Sequence, residues 1–204
     1  MKVTYLGHSC FFIEGKEKSV VTDPFTDIGY ELKKVSADYC TISHEHFDHN
    51  YQDGVNAKTF VRSTADGFLA IDSYHDANLG ARRGKNTIFK FTVDGITFCH
   101  LGDLGEFYSQ DLVDEIGAVD VLFIPVGGTY TIDAKEAVKF ATAINAPITV
   151  PMHFRTPSCT VDINGVRDFT KKMAGVEKVG KSVNVEDYLH ADENSVLVFD
   201  DGEF

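Results

Sequence analysis

The chain has little of what membrane or secreted proteins require. Its 204 residues contain no tryptophan and five prolines, and no apolar run approaches the roughly 20 residues that a membrane-spanning helix needs. The first apolar stretch is interrupted by His8 and Glu14 and lacks the small-residue cleavage pattern of a signal peptide. We therefore expect no membrane partner and a cytoplasmic location.

Cysteine is also scarce. The four cysteines contain no C-x-x-C pair and fall mostly inside apolar stretches, where a thiol packs as a small hydrophobe: Cys10, Cys40, Cys99 and Cys159. This usage favours a reducing compartment and excludes a disulfide scaffold.

Basic residues are few: 19 stand against 31 acidic ones, and the formal net charge is -12. A surface with this balance repels a phosphate backbone, so a nucleic-acid partner is not expected. The one local basic run is Arg82, Arg83 and Lys85. It is either a solvated loop or, if it lies near the catalytic site, a complement to a small anionic substrate.

The first half of the chain is rich in short β-prone runs separated by Gly, Asp, Pro and Asn. They span residues 2–6, 10–14, 19–22, 39–43 and 59–62. Two further runs, 87–93 and 96–101, flank Asp94 and Gly95, a pair typical of a two-residue hairpin turn.

The second half alternates strands with helices. Runs 119–125 and 148–151 are typical of fully buried strands, and 195–199 of a closing strand. Helix 133–145 is predicted from an N-cap at Asp133, Glu136 three residues later and one apolar face. Segments 109–116 and 166–173 are predicted to be further amphipathic helices.

Hairpin strands followed by strand and helix alternation predict an α+β protein. We expect a four-layer αββα sandwich, with residues 1–204 forming a single domain. A doubly wound sheet is the alternative, but the first forty residues supply strands without the crossover helices that such a sheet needs.

The most informative stretch is His44-Glu45-His46-Phe47-Asp48-His49, directly after a predicted strand. His44 and His46, two apart on an extended loop, are suited to converge on one metal ion, and Asp48 and His49 to face a second. The alternative is a set of exposed polar loop residues. A zinc-protease helix is excluded, because H-E-x-x-H would need histidine at position 48.

One loop supplies too few ligands for a catalytic ion, so others must lie elsewhere. Asp103 and His153, taken alone, are a turn aspartate and a buried strand-end histidine. Both follow predicted buried strands, however, as His44 does. Strand ends at one rim of a sheet are where loops converge on a common ligand, so we group the three residues.

The pattern H-x-H-x-D-H after a strand resembles the metal-binding motif of the metallo-β-lactamase superfamily. Segments 22–25 (TDPF), 101–103 (LGD) and 151–154 (PMHF) resemble other elements of that family. The resemblance implies that Asp23 supports the metal loop without being a ligand, that Asp103 bridges two ions and that His153 binds the second. It runs from Tyr5 to His153, about three-quarters of the chain, and the final fifty residues carry no such motif.

Two histidines compete for the third position on the first ion. His75 stands where the superfamily places that ligand, in particular the branch that resembles ascorbate-phosphate lactonases and N-acyl-phosphatidylethanolamine phospholipase D. His100 lies in a predicted strand three residues before Asp103, so strand alternation points the two side chains to opposite faces. We favour His75 and expect His100 to support a ligand or to lie in the core.

Three more residues are candidates for the surroundings of the site. His8 follows a strand, and the resemblance implies a contact with substrate or with a ligand; an ordinary hydrogen-bonded histidine is the alternative. Gly128 and Tyr130 follow a buried strand, where they could present backbone N–H groups to an anion, line a pocket or merely turn the chain.

Taken together, the cofactors are predicted to be two divalent metal ions. His44, His46 and His75 would bind one ion, and Asp48, His49 and His153 the other, with Asp103 shared. Imidazole and carboxylate ligands suit zinc, but also manganese and iron. Two ions about 3.5–4 Å apart share a water and lower its pKa, giving a metal-bridging hydroxide that Asp48 helps to orient.

The predicted function is hydrolysis of a small ester-like substrate, either a lactone or a phosphodiester, and the resemblance to lactonases favours the lactone. One alternative is a redox enzyme similar to flavodiiron proteins. That branch carries H-x-E-x-D-H, whereas His46 occupies the glutamate position here. The other alternative is a non-catalytic metal-binding module. Nothing in the sequence indicates an oligomeric state.

Overall fold

The computed structural model describes residues 1–189 and 193–199. In chain order its strands are β1 (Lys2–Gly7), β2 (Cys10–Glu14), β3 (Ser19–Thr22), β4 (Val35–Thr41), β5 (Val55–Val61), β6 (Phe68–Tyr74), β7 (Lys85–Val93), β8 (Ile96–His100), β9 (Val121–Pro125), β10 (Ile148–Met152), β11 (Val176–Val179), β12 (Ser182–Asn184) and β13 (Ser195–Phe199). The helices are α1 (Gln110–Ile116), α2 (Ala134–Ile144) and α3 (Arg167–Thr170), with 3-10 turns at Gln52–Gly54 and Val185–Asp187.

The strands form two sheets. The first has the order β12-β1-β2-β3-β4-β5 and the second the order β11-β13-β10-β9-β8-β7-β6. Strands β3, β4 and β5 run parallel, as do β8, β9, β10, β13 and β11. The predicted arrangement of two sheets is therefore confirmed, and a single doubly wound sheet is excluded.

The two sheets face each other across an aromatic core. Phe11 of the first sheet and Phe123 of the second are fully buried, and their ring centroids lie 4.4 Å apart. Phe199 and Phe98 extend this layer on the second sheet. Because burial of a phenylalanine stabilises a fold by about 1.5–3 kcal/mol, this layer fixes how the sheets sit on one another.

The outer faces of the sheets are covered differently. Helices α1 and α2 pack their apolar residues, among them Ile116 and Phe140, against the outer face of the second sheet. The first sheet is covered by the connection between β3 and β4, which buries Phe25 and Ile28. Among the described residues the α-helices of the sandwich thus lie on one side.

The two ends of helix α2 are determined by its capping residues. The Asp133 carboxylate accepts hydrogen bonds from the backbone N–H groups of Lys135 and Glu136, and Asn145 ends the helix in the left-handed conformation. Both caps satisfy backbone groups that the helix leaves free. The predicted bounds 133–145 correspond to these two cap residues.

Other predicted bounds differ from the structure. The strand predicted at 39–43 begins at Val35, and that at 59–62 begins at Val55. The sequence did not predict these earlier starts, because the added segments are only partly buried. The helix predicted at 166–173 has four residues, Arg167–Thr170. Strands β6, β11 and β12 were not expected; two of them come from the C-terminal segment that carries no motif.

No helix in the described ranges is both long and apolar enough to cross a membrane. The single-domain organisation and the cytoplasmic location stay predictions.

Truncation of Phe11 tests the inter-sheet core. The Phe11→Ala variant should lose about 3–5 kcal/mol of unfolding free energy in a urea titration, because it leaves a cavity between the sheets. Leu69→Ala, at a side chain that is 44% exposed, should change that free energy by less than about 0.5 kcal/mol. Equal losses in the two variants would contradict this assignment of the core.

Candidate metal centre

The predicted site residues follow strands whose ends meet at one rim of the sandwich. His8 follows β1, Asp23 follows β3, the 44–49 loop follows β4, His75 follows β6, Asp103 follows β8 and His153 follows β10. The backbone N–H of His153 donates to the carbonyl of His8 at 3.2 Å, which ties the rims of the two sheets together. Residues far apart in sequence thereby share one site.

One cluster, called group one here, consists of His44, His46 and His75. Its potential ligand atoms lie within 4.8 Å of one another. The imidazole of His44 is 4.6 Å from that of His46 and 4.7 Å from that of His75, measured between ring centroids. His46 is exposed while the other two are buried, so group one opens to solvent on one side.

A second cluster, called group two, consists of His8, Asp48, His49 and His153, again with ligand atoms within 4.8 Å of one another. The Asp48 carboxylate lies 3.6 Å from Nε2 of His8 and 3.8 Å from Nε2 of His49. Sequence reasoning left His8 as a peripheral candidate, but the structure places its ring 4.2 Å from that of His153.

Asp103 stands between the two groups. Its Oδ2 is 3.3 Å from Nε2 of His75 and 3.8 Å from Nε2 of His44, both of group one. The same oxygen is 3.3 Å from His153, and Oδ1 is 3.1 Å from His49, both of group two. A single buried carboxylate is therefore in reach of both clusters.

Asp23 anchors the 44–49 loop from below. Its carboxylate accepts the backbone N–H of Ser43 at 2.8 Å, the Ser43 hydroxyl at 2.5 Å and Nδ1 of His49 at 2.9 Å. This leaves Nε2 of His49 directed at Asp103. Burial opposes ionisation of Asp23, but the hydrogen bond from His49 and nearby imidazoles keep its pKa below the usual range.

Asp103 is held by residues that the sequence did not single out. The Asn86 side chain accepts the N–H of Asp103 at 2.8 Å and donates to Ser73 and to the Leu101 carbonyl. Gly102 has φ +55°, and a Cβ there would lie 2.3 Å from the Asn86 oxygen. A lone asparagine beside a predicted strand gives no sequence signal, whereas the glycine was part of the LGD element.

His100 is placed apart from the ligand atoms. Its Nε2 donates to the Ser9 carbonyl at 2.9 Å, and its Nδ1 accepts the N–H of Gly102 at 3.2 Å. Both ring nitrogens are thus engaged with backbone groups. The structure brings His75 into group one and leaves His100 beneath the site, next to Asp23.

The donor atoms fit a bound cation. Nε2 of His44 is buried without a hydrogen-bond partner in the described ranges. The same holds for Nε2 of His49 and Oδ1 of Asp103, because their 3.1 Å contact lacks hydrogen-bond geometry. Burial lowers the pKa of His8 to about 4 and that of His44 to about 3, so both rings are neutral near pH 7. Neutral imidazole is the form that binds metals.

The pKa shifts around Asp103 also favour a bound cation. Burial alone would raise the pKa of its carboxyl, yet His153 and His49 hold that pKa well below the ordinary value. Burial would lower the pKa of His49, but Asp103 and neighbouring acids raise it well above its ordinary value. The centre thus favours positive charge between these side chains, which a metal ion would provide.

A cavity of about 350 Å³ opens beside the two groups. Its lining comprises His46, Phe47, Asp48, His75, Arg83, Asp103, Tyr130 and Val161. Tyr130 therefore lines the cavity, whereas the N–H of Gly128 donates to the Ile132 carbonyl at 3.3 Å. Gly128 turns the chain, and that N–H is not directed at an anion. Arg83 of the basic run reaches this cavity.

Known proteins share this architecture. A solved structure from Thermotoga maritima, assigned to the Zn-dependent hydrolases of the metallo-β-lactamase superfamily, is 36% identical, with a TM-score of 0.77 and 97% of both chains covered. A family model described as a β-lactamase superfamily domain matches residues 2–153. The chain belongs to the metallo-β-lactamase superfamily. The predicted metallo-β-lactamase fold, with its two packed sheets, is thereby confirmed.

Curated relatives in the superfamily are similar over most of their length. A Methanospirillum hungatei protein named UPF0173 metal-dependent hydrolase is 31% identical, with 76% of this chain and 84% of that protein covered. A Carboxydothermus hydrogenoformans protein of the same name is 28% identical, with 88% and 96% covered. Within the superfamily the chain groups with these metal-dependent hydrolases, while the role of each ligand stays a prediction.

Removal of the Asp23 charge tests its anchoring role. Asp23→Asn should weaken metal binding by about 10- to 100-fold in competition with a chelator, because His49 loses the acceptor that orients it. Asp72→Asn, which removes the same charge from an exposed position, should bind metal like the unmodified protein. Unchanged affinity in Asp23→Asn would show that His49 needs no such support.

Matched variants separate His75 from His100. His75→Asn should lower the bound metal per chain, measured by elemental analysis after dialysis, because group one loses a ligand. His100→Asn should retain the metal content and instead lower the melting temperature, since two buried hydrogen bonds are lost. The reverse pattern would exchange the roles of the two histidines.

Proposed function

We propose that the protein hydrolyses a small ester-like substrate, a lactone or a phosphodiester, with two divalent metal ions held by groups one and two. Imidazole-rich ligands suit zinc, with manganese and iron as further candidates. In this proposal His44, His46 and His75 would hold one ion, and Asp48, His49 and His153 would hold the other. The Asp103 carboxylate, which lies between the two groups, would serve both.

The position of Asp103 carries the proposal. One buried carboxylate has imidazole nitrogens of both groups within 3.1–3.8 Å. A single ion held by one group would leave the second set of buried nitrogens without a partner, which is costly in a protein interior. Two cations sharing Asp103 would give a partner to all four imidazoles that surround this carboxylate.

When bound, such ions supply Lewis acidity and bring the pKa of a water close to neutrality. The protein's own part is to position that water and the substrate. Asp48 is partly exposed and lines the cavity. Burial opposes its ionisation, but the neighbouring imidazoles of His8 and His49 hold its pKa below the ordinary value, so its oxygens stay acceptors that orient a water O–H.

The cavity supports catalysis rather than metal storage. Its volume of about 350 Å³ lies in the range of pockets for small molecules. Phe47 is 59% exposed and Tyr130 37% exposed at the opening. Such walls can hold the apolar part of a lactone or ester directly over the acidic and imidazole groups.

Loss of the Asp103 carboxylate tests the proposal. Asp103→Asn should reduce hydrolysis of a responsive lactone or phosphodiester by about 100-fold or more, since the shared ligand is removed. Circular dichroism should show an unchanged fold. Asp53→Asn, an exposed position, should keep full activity.

The purified protein should also hold two equivalents of a divalent metal by elemental analysis. A preparation that contains no tightly bound metal would refute the proposal. A colourless preparation that is free of iron would exclude the redox alternative.

A further inference from the structure

The cavity beside the candidate metal centre has one permanently charged cationic side chain, that of Arg83. The other groups of its lining are imidazoles, carboxylates and apolar side chains, among them Phe47 and Val161. Arg83 also lines two neighbouring cavities, one bounded by Glu106 and the other by Glu45. It therefore stands where three openings around the site meet.

The backbone around Arg83 is held in place by Asp76. This buried carboxylate accepts the N–H of Arg83 at 2.8 Å, that of Arg82 at 2.9 Å and that of Asn78 at 2.8 Å. Directly after Arg83, the Gly84 carbonyl accepts the N–H of His75 at 3.1 Å. The same short loop thus links Arg83 to a residue of group one.

The side chain of Arg83 rests on an aromatic ring. The guanidinium carbon lies 5.3 Å from the ring centroid of Tyr130, in the range of a cation–π contact. Within residues 1–189 and 193–199 the guanidinium forms no ion pair, whereas Arg62 on the same rim pairs with Glu45 at 3.0 Å. A contact with the face of an aromatic ring leaves guanidinium N–H donors available for a planar oxyanion.

Among the described residues no carboxylate pairs with the partly buried Arg83 side chain, and a bound anion would compensate its charge. We propose that Arg83 determines substrate specificity by binding a carboxylate or phosphate group of the substrate, at a point separate from the bond that is cleaved. The substrate is then a small anionic ester or lactone whose apolar part lies against Phe47 and Val161. This inference rests on the proposed hydrolase function.

Three esters of one leaving group test the inference. They are p-nitrophenyl glutarate, with a free carboxylate, its neutral methyl ester, and the analogue that ends in a phosphonate. The unmodified protein should prefer the anionic esters over the neutral one in kcat/KM. In Arg83→Ala that preference should fall by on the order of 10- to 100-fold, mainly through KM, since charge-assisted hydrogen bonds are lost.

Arg82→Ala is the matched control. It removes the same charge one residue away, from an exposed side chain that is absent from the lining of the central cavity. This variant should keep the preference of the unmodified protein, and Arg83→Lys should restore part of it. Comparison of the two anionic esters identifies which anion the site prefers. An unchanged preference in Arg83→Ala, or an equal loss in Arg82→Ala, would overturn the inference.

Binding separates this inference from the proposed function. Glutarate contains no ester bond, so its affinity for the protein can be measured by titration calorimetry even if none of the esters is hydrolysed. Weaker binding in Arg83→Ala but not in Arg82→Ala would support the anion site on its own. Equal affinities in the three proteins would overturn it, whether or not the protein is a hydrolase.

Discussion

The site is organised around a negative charge that the protein interior cannot leave uncompensated. The carboxylate of Asp103 is 1% exposed and has four imidazoles around it. In the part of the chain that the structure describes, several buried nitrogens of these groups have no hydrogen-bond partner. A bound cation would resolve this imbalance, because it would supply positive charge beside Asp103 and a partner for neutral imidazole nitrogens.

The sandwich makes this concentration of polar groups tolerable. Aromatic packing between the sheets, as at Phe11 and Phe123, holds the strand ends at fixed separation. Beneath the rim, Asp23 and Asn86 satisfy the backbone and orient the ligands. The apolar layer stabilises the fold. This offsets the free energy lost by burying the polar groups above it, whose arrangement is suited to binding metal.

Sequence patterns predicted those parts of the molecule whose structure is set by residues close together in the chain. The caps of α2 and the H-x-H-x-D-H loop are local, and both were recognised from neighbouring residues. Strand β6 was missed, since its sequence alternates poorly and its pairing with β7 is set by tertiary contacts. The role of Asn86 was beyond reach, because it depends on residues that only the fold brings near. The basic run that contains Arg83 was recognised as a possible complement to an anionic substrate, but only the fold shows that Arg83 is the member that lines the cavity.

The pairing of β12 with β1 has a consequence for how the chain reaches this state. Residues 2–4 pair with residues 182–184, so one edge of β1 has no partner until residue 184 has been synthesised. Contacts of such wide sequence separation slow folding, and exposed strand edges invite pairing with other chains. Until β12 has formed, that edge of β1 is therefore open to pairing with other chains.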